Sequence, residues 1–217
     1  MKIAVVAANG RVAQKVIKEA LDRGFEVKAF GRDDENKTVA KDYVKKDIMD
    51  LTKDDIAGFD AVVDGFDAVV DGFGAWIDEE QPRHIKTSQH LCDLLSGSDT
   101  RLLIVGGAGS LYVNPEHTVQ VKDAPDFPAM FLPLANAQGA ELDELRKRND
   151  VKWTFISPAG DFQADGERTG EYILGGEELT LNEKGESIIS YADYAIAMVD
   201  EIENGDHIQQ RISVLRK

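Results

Sequence analysis

Lys2-Ile3-Ala4-Val5-Val6-Ala7-Ala8-Asn9-Gly10-Arg11-Val12-Ala13 opens the chain, and the two periods that meet inside it decide the fold. Lys2 to Ala7 is a short run rich in β-branched residues, which suits a strand. From Val12 onward, apolar residues recur at helical spacing (Val12, Ala13, Val16, Ile17, Ala20, Leu21) until Gly24 interrupts. Glycine there tolerates the left-handed backbone that stops a helix. Phe25-Glu26-Val27-Lys28-Ala29-Phe30 follows as a second strand. Strand, helix and strand joined this closely require parallel strands with a right-handed crossover, and a parallel sheet needs helices on both faces.

The alternation runs on to the end of the chain. Tyr43 to Asp47 reads as a strand, Thr52 to Ala57 as a short helix, and residues 61–71 as an apolar run. His84 to Leu95 reads as a helix, Leu102-Leu103-Ile104-Val105 as a strand, Ala135 to Arg148 as a helix and Val151 to Ser157 as a strand. Tyr191 to Glu203 closes the helices, with Ser190 and Asp193 spaced as a capping box, and Ile208 to Leu215 is the last strand. The sum is an α/β chain with a doubly wound parallel sheet.

Two stretches depart from this rhythm. Gly58-Phe59-Asp60-Ala61-Val62-Val63-Asp64 is followed at once by an identical heptad, Gly65 to Asp71. Repeat architectures need longer periods and more units, so this is a local duplication in which one copy forms the strand. Identical side chains cannot choose between the copies, but Gly72-Phe73-Gly74 looks like a strand-end turn at a ligand crevice, so the second copy is expected to be the strand. The first copy is then loop or helix extension. Residues 112–133 hold four of the six prolines, Pro115, Pro125, Pro128 and Pro133, with no period. A long irregular segment after a strand end is either a cover for a substrate or a packed loop.

Composition narrows the partners. Twenty-five Lys and Arg against forty Asp and Glu leave a net charge of −15, the wrong sign for a surface that neutralises phosphate backbones, so no nucleic-acid partner is expected. Asn9-Gly10-Arg11 interrupts the apolar opening before a signal peptide or membrane span could form. A single cysteine, Cys92, forms no internal disulfide and points to a reducing, cytoplasmic setting. The four histidines lack metal-ligand spacing, and no metal site is expected. An anionic ligand must therefore be met by backbone amides or a few arginines.

The first turn, Ala7 to Ala13, supplies such amides. Asn9, Gly10, Arg11 and Val12 sit where a helix start receives a diphosphate, and small residues let it approach. At the end of the second strand, Arg32 stands where such folds read the adenosine ribose, and a guanidinium there suits a 2′-phosphate; its alternative is a solvated loop residue. Asp47 and Ile48 could touch the adenine, or Asp47 could begin a turn. After the Leu102–Val105 strand, Gly106-Gly107-Ala108-Gly109-Ser110-Leu111 puts small residues and the Ser110 hydroxyl at the carboxyl edge of the sheet. Ser110 could orient an acceptor carbonyl or ring as the catalytic side chain, or satisfy local backbone.

These segments, with Trp153-Thr154-Phe155-Ile156-Ser157-Pro158, Gly166-Glu167-Arg168-Thr169-Gly170 and Ile189-Ser190-Tyr191-Ala192-Asp193, resemble the atypical short-chain dehydrogenase/reductases. Within them the chain is most similar to the small bacterial NAD(P)H-flavin reductase group, near the NmrA-like and biliverdin-reductase-B-like proteins. The resemblance implies one Rossmann-like domain over residues 1–217, with residues 112–133 and 159–189 on the substrate side, the latter as a small C-terminal lobe. It also implies NADP, or alternatively NAD, at the first turn. Phe73, Gly74, Gly107 and Pro158 would complete the cofactor site, with Pro158 near the nicotinamide. Hydride would then pass to a flavin or quinone-like acceptor in a monomer or homodimer. Two departures stand out: relatives carry glycine where this chain has Ala7 and Ala13, and Leu134-Ala135-Asn136-Ala137-Gln138 replaces the superfamily's Tyr-x-x-x-Lys. A flavin can take its proton from solvent, so reduction survives that loss. The alternatives are a non-catalytic NAD(P)-binding redox sensor and, more distantly, an epimerase relative that kept only the scaffold.

Overall fold

In a computed structural model that describes residues 1–56, 67–75 and 78–217, the opening segment forms β1 (Lys2–Val6), α1 (Arg11–Asp22) and β2 (Glu26–Gly31), the strand–helix–strand unit its two periods require. Ile3 and Val5 enter one apolar core while Ala4 and Val6 enter the other, so β1 is buried on both faces. Helix α1 ends as expected, with Gly24 at φ +80° just past the cap.

The chain continues through β3 (Asp42–Lys45), α2 (Lys53–Ile56), β4 (Ala68–Asp71), α3 (Arg83–Leu95), β5 (Arg101–Val105), α4 (Leu132–Leu145) and β6 (Lys152–Pro158). It finishes with β7 (Asp161–Gln163), β8 (Tyr172–Gly175), β9 (Ile188–Ser190), α5 (Tyr191–Asn204) and β10 (Gln210–Arg216). The main sheet has the order β3-β2-β1-β4-β5-β6-β10-β8, parallel except where β8 runs against β10. Helices α1 and α5 cover one face over Val16, Ile17, Tyr194 and Met198. The other face is covered by α2, α3 and α4 over Ile56, Leu91, Leu142 and Leu145. This is a Rossmann-like doubly wound sheet. Its winding reverses between β1 and β4, and such a reversal opens a crevice at the carboxyl ends of the strands.

The second heptad copy supplies the central strand. Its Ala68 pairs with Ile3 of β1 and Arg101 of β5. Within this copy, the Asp67 amide donates to the Lys2 carbonyl at 2.8 Å, and the Lys2 amide donates to the Asp67 carboxylate at 2.7 Å. The first copy, and Trp76, lie outside the described residues.

Several boundaries move. Helix α4 begins at Leu132, three residues before the expected Ala135, because Pro133 falls in its first turn, where a missing N–H costs nothing. Strand β3 stops at Lys45, since Asp47 caps a short turn over Ile48–Asp50 by accepting the Met49 amide at 2.9 Å. At α5 half of the expected capping box forms. Ser190 accepts the Asp193 amide at 3.0 Å, but the Asp193 carboxylate takes the amides of Thr169 and Gly170 and so ties residues 169–170 to the helix start. The 159–189 stretch contains β7, β8 and β9. Among the described residues, no helix is long and apolar enough to cross a membrane and no cluster has a metal-ligand composition.

Candidate functional site

A groove of about 220 Å³ opens at the carboxyl ends of β1, β2 and β4, lined among others by Ala7, Gly10, Arg32, Asp47, Phe73 and Arg83. Gly10, at the mouth of α1, is part of its lining. Gln14 makes the first intrahelical bond, to the Gly10 carbonyl at 2.9 Å, so the amides of Arg11, Val12 and Ala13 have no acceptor within the helix. Gly10 carries no side chain to cap them, and the first turn holds no acid. A Cβ at Gly10 would lie 3.2 Å from the Ala7 carbonyl and 3.3 Å from that of Gly72, so only glycine leaves this approach clear. The methyl of Ala13 is accommodated by Gly72, where a Cβ would come within 2.8 Å of it. Ala7 bears the cost of the tight turn directly, holding φ +50°, a region that favours glycine.

Asn9 lines the groove, but its side-chain amide holds the wall together. It donates to the Glu35 carbonyl (2.9 Å) and the Tyr43 hydroxyl (3.1 Å) and accepts the Lys37 amide (2.9 Å), tying the first turn to the loop after β2. Arg32 projects from that loop, half exposed, 3.6 Å from Glu80. Asp47 begins a turn, one of the two readings open to it, and also borders the groove. Burial pushes its carboxyl up, yet the Met49 amide and a two-pronged bond from Arg83 (2.9 Å to each oxygen) hold it below its ordinary value. Ile48, Phe73 and Gly74 complete the wall.

Arg83 was not singled out in the sequence. Its guanidinium lies over the Phe73 ring at 5.6 Å while it clamps Asp47, joining the walls contributed by α3, β3 and β4. The available signal was a basic residue at the start of the helix after the crevice-facing Gly72-Phe73-Gly74. Lys37 and Lys46 also line the groove, Lys46 in an ion pair with Asp55 at 2.7 Å.

The remaining expected residues lie elsewhere. Val12 is partly buried against the α1–α5 core, and the Arg11 side chain turns away to Asp165 at 3.1 Å, so neither side chain lines the groove. Gly107 packs against Gln138, whose Oε1 a Cβ would meet at 2.1 Å. Pro158 is buried in register with Val214 of β10. Ser110 is 4% exposed, and its hydroxyl and carbonyl both accept from Arg211, at 3.0 and 2.9 Å. Arg211 in turn pairs with Glu177, so the hydroxyl expected to meet an acceptor fastens β10 to the β5 turn. Cys92 and Trp153 are buried, the thiol pushed up to about 12 by desolvation.

Helix-start amides without an intrahelical acceptor, a glycine at the close approach beside them, and Arg32, Lys37, Lys46 and Arg83 in one groove fit a dinucleotide. The chain belongs to the NAD(P)H-binding family, whose pattern matches residues 7–204, and with the fold this places it among the atypical short-chain dehydrogenase/reductases. It is 53% identical to a Streptococcus pneumoniae TIGR4 protein described as "a putative NADH-flavin reductase", with a TM-score of 0.94 over 100% of both chains. YwnB of Bacillus subtilis (strain 168), which has no assigned activity, is 40% identical over 99% of this chain and 98% of its own. A Bacteroides thetaiotaomicron structure described as a "putative epimerase" is 34% identical, with a TM-score of 0.82 over 99% of this chain and 96% of that one.

Proposed function

We propose that this protein is an NADP(H)-dependent reductase that delivers hydride to a flat acceptor, a flavin or quinone-like ring. The observation that carries the reading is the mouth of α1, where three amides lack an intrahelical acceptor and the adjoining Gly10 lines a groove that also holds Arg32. The Arg11, Val12 and Ala13 amides would grip the diphosphate, aided by the helix dipole. Arg32, with Lys37 in the same groove, would take the 2′-phosphate, while Asp47 and Ile48 border the adenine. When bound, the nicotinamide supplies the hydride.

The chain's part is binding and orientation. Ser110 is held by Arg211, and positions 134–138 carry neither phenol nor ammonium, so the proton that balances the hydride comes from solvent. Support for a flat apolar acceptor lies at the amino end of α4. There Met130, Phe131 and Leu132 are exposed, at the carboxyl edge where a crossover helix leaves a parallel sheet. Residues 112–133 would then cover the acceptor. The similarity to the streptococcal protein supports the same class of acceptor.

Fluorescence titration with NADPH and NADH, followed by NADPH oxidation in the presence of FMN or a quinone, tests this. NADPH should bind at least roughly ten-fold tighter than NADH, a difference of about 1.4 kcal/mol, and Arg32→Ala should remove most of that preference. Failure of both nucleotides to bind overturns the reading. Binding with no oxidation by any flavin or quinone would make the chain a nucleotide-binding sensor instead.

A further inference from the structure

Behind the Phe73 wall lies a set of ionisable groups that the proposed reaction does not use. Asp71, the last residue of β4, is 1% exposed; its Oδ1 accepts the Phe73 amide at 2.9 Å, and its Oδ2 is buried with no hydrogen-bond partner among the described residues. His84, also 1% exposed, sits one residue beyond Arg83 on α3. Its Nδ1 is 3.4 Å from the carboxylate of buried Glu141 on α4, its Nε2 has no partner among the described residues, and its ring meets that of Phe73 edge-on at 5.0 Å. The backbone and the ring of one groove-lining residue are thus both held by this set.

We infer that Asp71, His84 and Glu141 form a buried proton-holding unit that positions the Phe73 wall, so that protonation of the unit strengthens the groove's hold on an anionic nucleotide. The inference rests on the nucleotide reading for its ligand, and on the geometry alone for its proton. Two carboxyl groups and one imidazole, each no more than 2% exposed, lie close enough for the charges of Glu141 and His84 to act on Asp71. Burial pushes Asp71 up to about 7, reinforced by the Glu141 charge and opposed by the Phe73 amide and His84; burial raises Glu141 as well. From α3, Cys92 also feels Asp71, but desolvation keeps that thiol neutral. The flanking strands contribute Val6 and Ile104 opposite Asp71, neither of which titrates. With a folded value raised above the ordinary one, the neutral unit is fully retained at low pH and lost as pH climbs through about 7. Above that, a negative charge stands directly behind the wall that faces the phosphates.

The test follows the Phe73 amide by 1H–15N NMR between pH 5.5 and 8.5, and NADP+ affinity at pH 6 and 8, in the wild type, Asp71→Asn and Glu141→Gln. The Phe73 resonance should titrate with a midpoint near 7 in the wild type. It should stay flat in Asp71→Asn, and the midpoint should move to lower pH in Glu141→Gln, where the like charge is gone. NADP+ affinity should weaken several-fold from pH 6 to 8 in the wild type beyond its change in Asp71→Asn, a comparison that cancels titration of the ligand's own phosphate. A Phe73 amide that does not titrate, or a midpoint that Glu141→Gln leaves in place, overturns the unit; equal pH dependence of affinity in the wild type and Asp71→Asn overturns its coupling to the groove. Should NADP+ fail to bind any of the three proteins, the nucleotide reading falls, and the amide titration decides the unit by itself.

Discussion

Two turns leave the carboxyl edge of this sheet with the same sequence appearance, Ala7-Ala8-Asn9-Gly10 after β1 and Gly106-Gly107-Ala108-Gly109 after β5. Their uses are opposite. In the first, small residues keep a helix mouth open, and the space above the amides belongs to a groove. In the second, the protein fills the space itself: Cβ atoms at Gly106, Gly107 and Gly109 would strike Phe155 at 2.2 Å, Gln138 at 2.1 Å and Ala135 at 2.5 Å. A run of small residues at a strand end therefore reports a close approach without naming the visitor. What differs is the next element. Helix α1 starts at once after Gly10, whereas β5 leads into a long excursion, and side chains of α4 and β6, with Arg211, close over the turn.

The sharpest way to break the contrast is to cap the open turn. Gly10 sits at the N-cap of α1 in an extended conformation, the position where an aspartate accepts helix-start amides. Gly10→Asp places a carboxylate where the diphosphate would sit, removing its donors and adding like charge. NADPH affinity should fall by about 100-fold or more, equivalent to about 3 kcal/mol. The melting temperature should move little, because capping gains offset the tight contacts with the Ala7 and Gly72 carbonyls. Calorimetric titration beside a thermal melt reads both, and retained affinity would remove the α1 mouth from the site.

The reciprocal experiment acts on the filled turn. Gly106→Ala drives a methyl into the Phe155 ring, which is fully buried and has nowhere to go. Overpacking of this kind costs ~1–3 kcal/mol. In a chain of this length each kcal/mol lowers the melting midpoint by about 2–4 °C, while NADPH affinity measured below the transition should stay within about two-fold of wild type. A large loss of affinity with no loss of stability would mean that the β5 turn, like the β1 turn, faces the ligand.

The same contrast explains what could be read in advance. Local chemistry was legible: the two periods on either side of Gly10, the stop at Gly24, and the strand-end turn that singled out the second heptad copy all depend on neighbours in sequence. So did most of the groove, because Ala7, Gly10, Arg32, Asp47, Ile48, Phe73 and Gly74 each follow a strand that the alternation locates. Arg83 escaped because its partner, Asp47, is 36 residues away and lies on another strand's exit. Ser110 looked available because Arg211, which holds it, is 101 residues distant on the last strand. Strands β7, β8 and β9 span three or four residues each, too short to show a period, and their pairing is set by contacts with distant segments.

The smallest effect concerns the methyl of Ala7. Ala7 holds φ +50°, which costs an L residue ~1–2 kcal/mol, whereas glycine there gives back ~0.5–1 kcal/mol through the freedom of the unfolded chain. Ala7→Gly should therefore stabilise by about 0.5 kcal/mol, raising the midpoint by about 1–2 °C. Removing a methyl from the groove lining should also tighten NADPH binding, by about three-fold at most, since no hydrogen bond is gained. A differential melt and a paired titration resolve both shifts. The substitution runs opposite to Gly106→Ala: one turn gains from losing a methyl and the other suffers from acquiring one. If Ala7→Gly instead loosens the turn and weakens binding, then the alanine is a device that stiffens the mouth of α1, and the strain at residue 7 keeps the amides in place.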